Sequence, residues 1–324
     1  MVDEHFFSTK NKIIKAMISG AVALCLTACS IMPFHTSTVP EGYGNLGTEK
    51  GARDSTPVCL EPTAPGVDVK ENKYAHLDYS NSSEGYVIVR YTGSSPKVKL
   101  QITGPNEVTY TYNLCSTEPT DEVFPLQSGN GEYMISVYEN IKANRYSTVF
   151  SYPIRVTLSD QYKPFLYPNQ FVNFNKDSLG VAEAQKLAYP CNNDLEVISQ
   201  IYFYVIENMS YDYDKAAVVK SGYLPDIDQV FTAKKGICLD YAALMASMLR
   251  SQNIPTKMEI GYAGNVYHAW LSSYVNGIGW INGMIEFDGV DWSLMDPTFA
   301  TTMKKRKLQS FISDSDNYSA KYIY

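Results

Sequence analysis

Lys235-Gly236-Ile237-Cys238-Leu239-Asp240-Tyr241-Ala242 decides how this 324-residue chain is read. The stretch puts a cysteine at the head of an amphipathic run. Leu244, Met245, Met248 and Leu249 follow at helical spacing, and Ile254-Pro255 ends it. The spacing predicts a helix over about residues 238–251 with Cys238 at its N-terminus. Unpaired amides and the helix dipole there favour a thiolate, and Lys234 and Lys235 just upstream add positive potential. The Cys238 amide can point at a developing oxyanion. Taken alone, such a cysteine is as readily a buried, inert packing residue. Asp240, in the first turn, reads as a structural acid that suits the dipole, not as a general base.

Working outward, His268 in Tyr267-His268-Ala269-Trp270 is the only histidine after His76, so any imidazole base in this half is His268. Asp296, in Trp292-Ser293-Leu294-Met295-Asp296-Pro297-Thr298, is the matching carboxylate, with Asp288 and Asp291 as substitutes. A cysteine, a histidine and an aspartate can act as nucleophile, base and orienter of the base. The bland alternatives are a satisfied core histidine and an Asp-Pro turn. Tyr213 and Tyr241 are candidates for a second oxyanion donor.

Around these residues, Leu195, Ile198, Ile201, Tyr202, Val205 and Met209 fall on one helical face, with Asp194 as the expected N-cap. Strands are expected over 257–262, 267–275, 280–287 and 290–294, with hairpin signals at Asn276-Gly277 and Asp288-Gly289. Residues 72–158 instead alternate with period two between turn residues, as in Val98, Leu100 and Ile102 against Lys99 and Gln101. That pattern argues an antiparallel β-sandwich, immunoglobulin-like in pattern only. His76, within it, has no second ligand at metal spacing and reads as a surface or packing residue.

The first residues do not read as fold. Lys10, Lys12 and Lys15 precede an apolar run from Ala16 to Ala28 that is too short for a bilayer span of about 20 residues. It ends in Leu26-Thr27-Ala28-Cys29, which resembles the lipobox of bacterial lipoproteins. The resemblance implies export, cleavage before Cys29 and lipid on its sulfur. Thr36 to Asp68 is rich in Pro, Gly, Ser and Thr and reads as a tether. Of six cysteines, Cys59 and Cys115 are candidates for a disulfide in an exported protein. A net charge of −7 gives no reason to expect nucleic acid. No phosphate loop or metal-ligand spacing occurs, so no cofactor is expected.

The motifs together, in this order, resemble the transglutaminase-like superfamily, the papain-related Cys-His-Asp fold. Residues 235–242 match the nucleophile motif, and Leu249-Arg250 with Ile254-Pro255 the end of its helix. Gly261-Tyr262 matches the strand before the base, His268-Ala269-Trp270 the base motif, and Trp292 with Asp296-Pro297-Thr298 the orienter motif. Asn208 to Tyr213 resembles the Tyr-Asp segment before the nucleophile helix. The interval from His268 to Asp296 is longer than the usual single hairpin. The resemblance covers about residues 165–300 and implies Cys238 as nucleophile, His268 as base and Asp296 as orienter.

The expected architecture is therefore α+β. A C-terminal transglutaminase-like (papain-like) domain, with its nucleophile helix packed on an antiparallel sheet, follows an all-β immunoglobulin-like sandwich. The expected segments are a signal peptide (1–28), a lipidated flexible tether (29–70), the sandwich (71–160), the catalytic domain (161–300) and a tail (301–324). The expected function is acyl transfer at amide bonds by a protease, peptidase or amidase held on the extracytoplasmic side of a membrane. The substrate would be a protein, a peptide or a cell-wall peptide. The alternatives are a non-catalytic binding or scaffold lipoprotein and a true protein-glutamine cross-linker.

Overall fold

The computed structural model describes residues 47–263, 266–282, 286–287, 292–293 and 318–324. Eight strands come first: β1 (Val69–Glu71), β2 (Ala75–Asp78), β3 (Tyr86–Tyr91), β4 (Val98–Thr103), β5 (Thr109–Leu114), β6 (Glu122–Pro125), β7 (Gly131–Lys142) and β8 (Arg145–Val156). They form two antiparallel sheets, ordered β1-β2-β3-β6 and β5-β4-β7-β8. The period-two pattern explains the second sheet. Val98, Leu100 and Ile102 of β4 are buried, as are Tyr110, Tyr112 and Leu114 of β5, and their neighbours are not. Tyr112 meets Phe124 of the first sheet with ring centroids 4.8 Å apart. Strand β3 does not alternate: Tyr86 to Val89 are all buried, as expected of a strand covered on both faces. Tyr86 there packs on Tyr167, 4.7 Å between ring centroids, from the segment that leads into the helices.

The second half runs α1 (Leu179–Ala188), α2 (Asp194–Asn208), β9 (Ser210–Tyr211), α3 (Tyr213–Val218), α4 (Ile227–Ala233), β10 (Lys235–Gly236) and α5 (Cys238–Ser251). Strands β11 (Thr256–Ala263), β12 (Val266–Val275), β13 (Gly279–Asn282), β14 (Glu286–Phe287), β15 (Trp292–Ser293) and β16 (Tyr318–Ile323) follow. Helix α2 starts where its stripe implies, but Asn193 is the cap, its side chain accepting from the Glu196 amide; Asp194 is already helical. Every residue of α5 from Asp240 to Ser251 is buried, because α1, α2, α4, β11 and β12 surround it. Small residues Ala242, Ala243 and Ala246 let these neighbours approach. Buried residues of the first two sheets and of this half form one continuous apolar cluster.

The later strands build an antiparallel sheet ordered β13-β12-β11-β16. Strand β16 lies within the stretch expected to be a tail. It pairs with β11 instead, because its backbone supplies the partner that the outer edge of β11 would lack.

The stretch expected to be a tether also differs from Gly51 onward. The Gly51 amide bonds to the Tyr189 carbonyl at 2.9 Å, and a Cβ at Gly51 would fall 2.1 Å from the Cys191 carbonyl oxygen. Arg53 pairs with Asp194 at 2.7 Å and donates to Gln252. The Val58 amide reaches the Ser251 carbonyl at 2.7 Å. This segment buries little by itself but is fastened to the ends of α1, α2 and α5, which composition cannot reveal. Cys59 and Cys115 are both free thiols, as are Cys191 and Cys238. His76 pairs with Glu71 at 2.9 Å on the surface. No helix among the described residues is long and apolar enough to cross a membrane.

One buried cation joins the parts. Arg250, 0% exposed at the end of α5, donates to the carbonyls of Thr256 (3.0 and 2.8 Å), Tyr167 (2.7 Å) and Tyr324 (2.8 Å). Burial pushes its guanidinium down to about 9. These carbonyl dipoles take the place of a carboxylate partner. Replacing Arg250 by Met would take the guanidinium from all three acceptors, of which the Tyr324 oxygen keeps the Met258 amide, and is expected to remove about 3 kcal/mol of stability. Urea unfolding should show the midpoint falling with the slope m unchanged.

Candidate active site

The approach to Cys238 is set by a two-residue parallel bridge. Strand β9 runs beside β10, with Tyr211 opposite Gly236, and the Asp212 amide bonds to the Gly236 carbonyl at 2.8 Å. Lys234 closes α4 in a left-handed conformation (φ 52°) and turns the chain into β10. Ile237 is then extended (φ −94°, ψ 175°), and α5 begins. Ile237 has no side chain that can cap, so the helix start is held by Asp240. Its Oδ2 accepts the Ile237 amide at 2.8 Å.

Asp240 is 0% exposed. The Lys215 ammonium reaches Oδ2 at 2.6 Å and the Tyr223 hydroxyl donates to Oδ1 at 2.6 Å; Lys215 also donates to the Tyr223 oxygen at 2.6 Å. Burial alone would lower the Lys215 ammonium, but its bonds to Asp240 and Tyr223 hold it above the ordinary range. Burial and the Asp240 charge raise the Tyr223 phenol. Gly236 follows from this cluster. A Cβ there would sit 2.6 Å from the Asp240 Cβ and 3.0 Å from Oδ2, so glycine leaves the room the carboxylate fills.

The Cys238 thiol is half-buried. The nearby backbone amides, that of Ala269 foremost, favour the thiolate. Burial outweighs them and pushes the thiol above the ordinary cysteine range, and the nearby Asp240 charge acts in the same direction. The lysines expected to oppose this are engaged elsewhere. Lys234 donates to the Tyr204 hydroxyl at 2.5 Å and lies 3.9 Å from the Phe231 ring centroid; Lys235 pairs with Asp212 at 3.1 Å.

His268 sits on β12 opposite Gly261, 5% exposed, with its ring stacked 6.4 Å from that of Trp270. Strand β13 pairs with β12 only over Ser272–Val275. Helix α5, headed by Cys238, packs on β12, the strand that carries His268. Asp296, its substitutes Asp288 and Asp291, and Cys29 lie outside the described residues. So does the Asp288-Gly289 turn, although β14 and β15 on either side of it pair antiparallel.

Of the two candidate supporting tyrosines, Tyr213 is 62% exposed and Tyr241 is 1% exposed in the core. The tyrosine beside the nucleophile segment is Tyr211, which lies opposite Gly236 in the β9–β10 pairing, two residues before Cys238. The sequence signal for it was its place in Ser210-Tyr211-Asp212-Tyr213, where nothing separates one tyrosine from the next. Lys215 and Tyr223 carried no signal, because their common partner Asp240 is far along the chain. The arrangement offers a half-buried thiol at the head of a helix and an imidazole on the strand against which that helix packs. It suits attack on a carbonyl better than any metal or phosphate chemistry, since each group either donates to an anion or moves a proton.

Residues 182–283 match the family model described as the transglutaminase-like superfamily. Among solved structures, the chain is similar to a candidate cysteine protease from Cytophaga hutchinsonii, at 18% identity over 66% of this chain and 67% of that one, with a TM-score of 0.34. It is similar to the periplasmic domain of TgpA from Pseudomonas aeruginosa bound to ethylmercury, at 14% identity over 78% and 91% of the two chains, TM-score 0.30. Red sea bream transglutaminase is another relative in shape, at 13% identity over 66% and 48%, TM-score 0.24. No curated protein matches the sequence. The segment from residue 182 to 283, which carries both Cys238 and His268, is a transglutaminase-like domain.

Proposed function

We propose that this chain is a cysteine acyl-transfer enzyme that cleaves amide bonds through a thioester, as a protease, peptidase or amidase. The observation that carries this reading is that α5, headed by Cys238, packs on β12, the strand that carries His268. The resting thiol is protonated. His268 removes its proton as the sulfur attacks the carbonyl carbon, and the carbonyl oxygen becomes an oxyanion. The Cys238 amide, at the N-terminus of α5, can serve that oxyanion. His268 then gives the proton to the leaving amine, the C–N bond breaks and a thioester remains. Water, activated by the same imidazole, releases the acid and restores the thiol. Asp296 is assigned to hold the far ring nitrogen.

The signal peptide and Cys29 lipid place this chemistry at the outer face of a membrane, with the two antiparallel sheets as an immunoglobulin-like spacer. The substrate is then a protein, a peptide or a cell-wall peptide. A non-catalytic binding role is favoured by a different observation: burial pushes the Cys238 thiol above the ordinary cysteine range. A cross-linking transglutaminase would differ only in the acceptor.

Wild type and the Cys238→Ala and His268→Ala variants are to be compared on peptide substrates with and without an added primary amine. Each substitution is expected to lower kcat/KM by about 10³-fold or more with the circular dichroism spectrum unchanged. Equal turnover by wild type and Cys238→Ala would refute the enzyme reading. An amine adduct as the main product would turn it to cross-linking.

A second measurement follows from the protonated thiol. Alkylation of Cys238 by iodoacetamide, followed by mass spectrometry, should keep accelerating with pH beyond the ordinary cysteine value of about 8.5. A rate already constant from about pH 6 would mean a resting thiolate–imidazolium pair, contrary to the mechanism above.

A further inference from the structure

Strand β5 of the first half touches the second half from both of its faces. Tyr110 and Tyr112 are buried and Asn113 is exposed, as alternation along a strand requires. Each face meets a segment that leads to one member of the Cys238–His268 pair.

The outer face leads to Cys238. A Cβ on Gly222 would fall 2.7 Å from the Asn113 Nδ2, so the two residues are in contact, and glycine also supplies the left-handed φ of 86° there. Asn113 is itself held. Its Oδ1 accepts the Lys99 ammonium, and its carbonyl accepts the Gln170 side-chain amide at 2.8 Å. Gln170 also donates to the Glu122 carboxylate at 2.6 Å. The residue after Gly222 is Tyr223, whose hydroxyl donates to Asp240 at 2.6 Å. Asp240 in turn accepts the Ile237 amide, next to Cys238. None of residues 213–224 is buried, so this segment has no apolar anchor and is placed by such polar contacts. A segment of that kind opens at low free energy, and one more contact changes how often it does.

The inner face leads to His268. The Tyr110 ring lies 5.8 Å from that of Tyr322 and 5.7 Å from that of Tyr324, and Tyr112 lies 6.0 Å from Tyr324. Tyr322 belongs to β16, and Tyr324, just after it, exchanges both backbone bonds with Met258 at 2.8 Å. Farther along the same pairing, a Cβ at Gly261 of β11 would fall 2.0 Å from the Ser319 carbonyl oxygen, so the β16 backbone lies directly against β11 there. Gly261 is the residue opposite His268 in β12.

We propose that strand β5 is a positioning element of the candidate active site. It braces the Cys238 turn through Asn113 and Gly222, and the His268 strand through Tyr110 and β16. The sheets of the first half are then part of the framework of the site as well as a spacer. The proposal rests on the acyl-transfer reading for the roles of Cys238 and His268, but its test needs no turnover.

The full chain is treated with iodoacetamide, and alkylation of Cys238 and Cys191 is followed by mass spectrometry. Cys191 is 0% exposed and reports loss of the whole fold. Tyr223→Phe should raise the Cys238 rate about tenfold, since it removes a bond to a buried charge, with Cys191 still silent. Asn113→Ala and Gly222→Ala should each raise it about threefold, and the double variant by less than the product, because both break one contact. Tyr110→Leu should speed amide hydrogen exchange in β11 and β12 about tenfold. Thr111→Ala, at an exposed position of the same strand, should change neither readout. With an active Cys238, the Asn113 and Gly222 variants should lose kcat and keep KM.

A Cys238 rate unchanged in both Asn113→Ala and Gly222→Ala overturns the proposal. So does a rise that Cys191 shares, or a double variant whose effect is the full product of the two. Exchange in β11 and β12 that ignores Tyr110→Leu overturns the His268 arm. The expected pattern with no turnover by wild type supports the brace while refuting the enzyme reading.

Discussion

The contact on which the site depends is the buried carboxylate of Asp240. Helix α5 starts after an isoleucine, which cannot cap it, yet the thiol must leave the helix at a fixed angle. Asp240 reaches back to the Ile237 amide and takes the Lys215 ammonium and the Tyr223 hydroxyl on its two oxygens. It joins the nucleophile turn to α3 and to the segment after it, both of which precede α5 in the chain. The absence of a side chain at residue 236 is the steric condition for this. A buried ion pair adds little net stability, because desolvation offsets the attraction, but it admits one arrangement of its parts. A nucleophile needs one arrangement more than it needs stability.

The same burial explains the state of the thiol. A helix N-terminus and three amides lower a cysteine, and removal from water raises it. At Cys238 removal from water wins, with the Asp240 charge on the same side. The carboxylate that fixes the geometry of the turn therefore also acts, after burial, against ionisation of the thiol.

Local pattern made much of this legible. The helix at 238–251, the strands over 256–263 and 266–275 and the turn at Asn276-Gly277 follow from periodicity and turn chemistry. The likeness to the transglutaminase-like superfamily rests on the order of short motifs that such local rules do not produce by accident. What was not legible involves partners distant in sequence. The lysines before Cys238 suggested a positive field, but each has found a neighbour. Tyr211 is distinguished from Tyr213 only by the β9–β10 bridge, and β16 only by the edge of β11. The capping position slipped by one residue because Asn193 and Asp194 are both good caps. Composition marked residues 51–58 as unable to fold, which is true of them alone and not of them against α2 and α5.

That fastening has a mechanical consequence. A pull on the chain upstream of Gly51 enters the body through Arg53, which grips Asp194 and Gln252, and through the Val58 bond to Ser251. Both grips meet α5 at its C-terminal end. A helix of 14 residues is about 21 Å long, so the load enters one helix length away from Cys238. Tension is taken up in shear across the ends of α1, α2 and α5, with Arg250 bracing the same end from inside. The reactive end of the helix lies outside the path of the force.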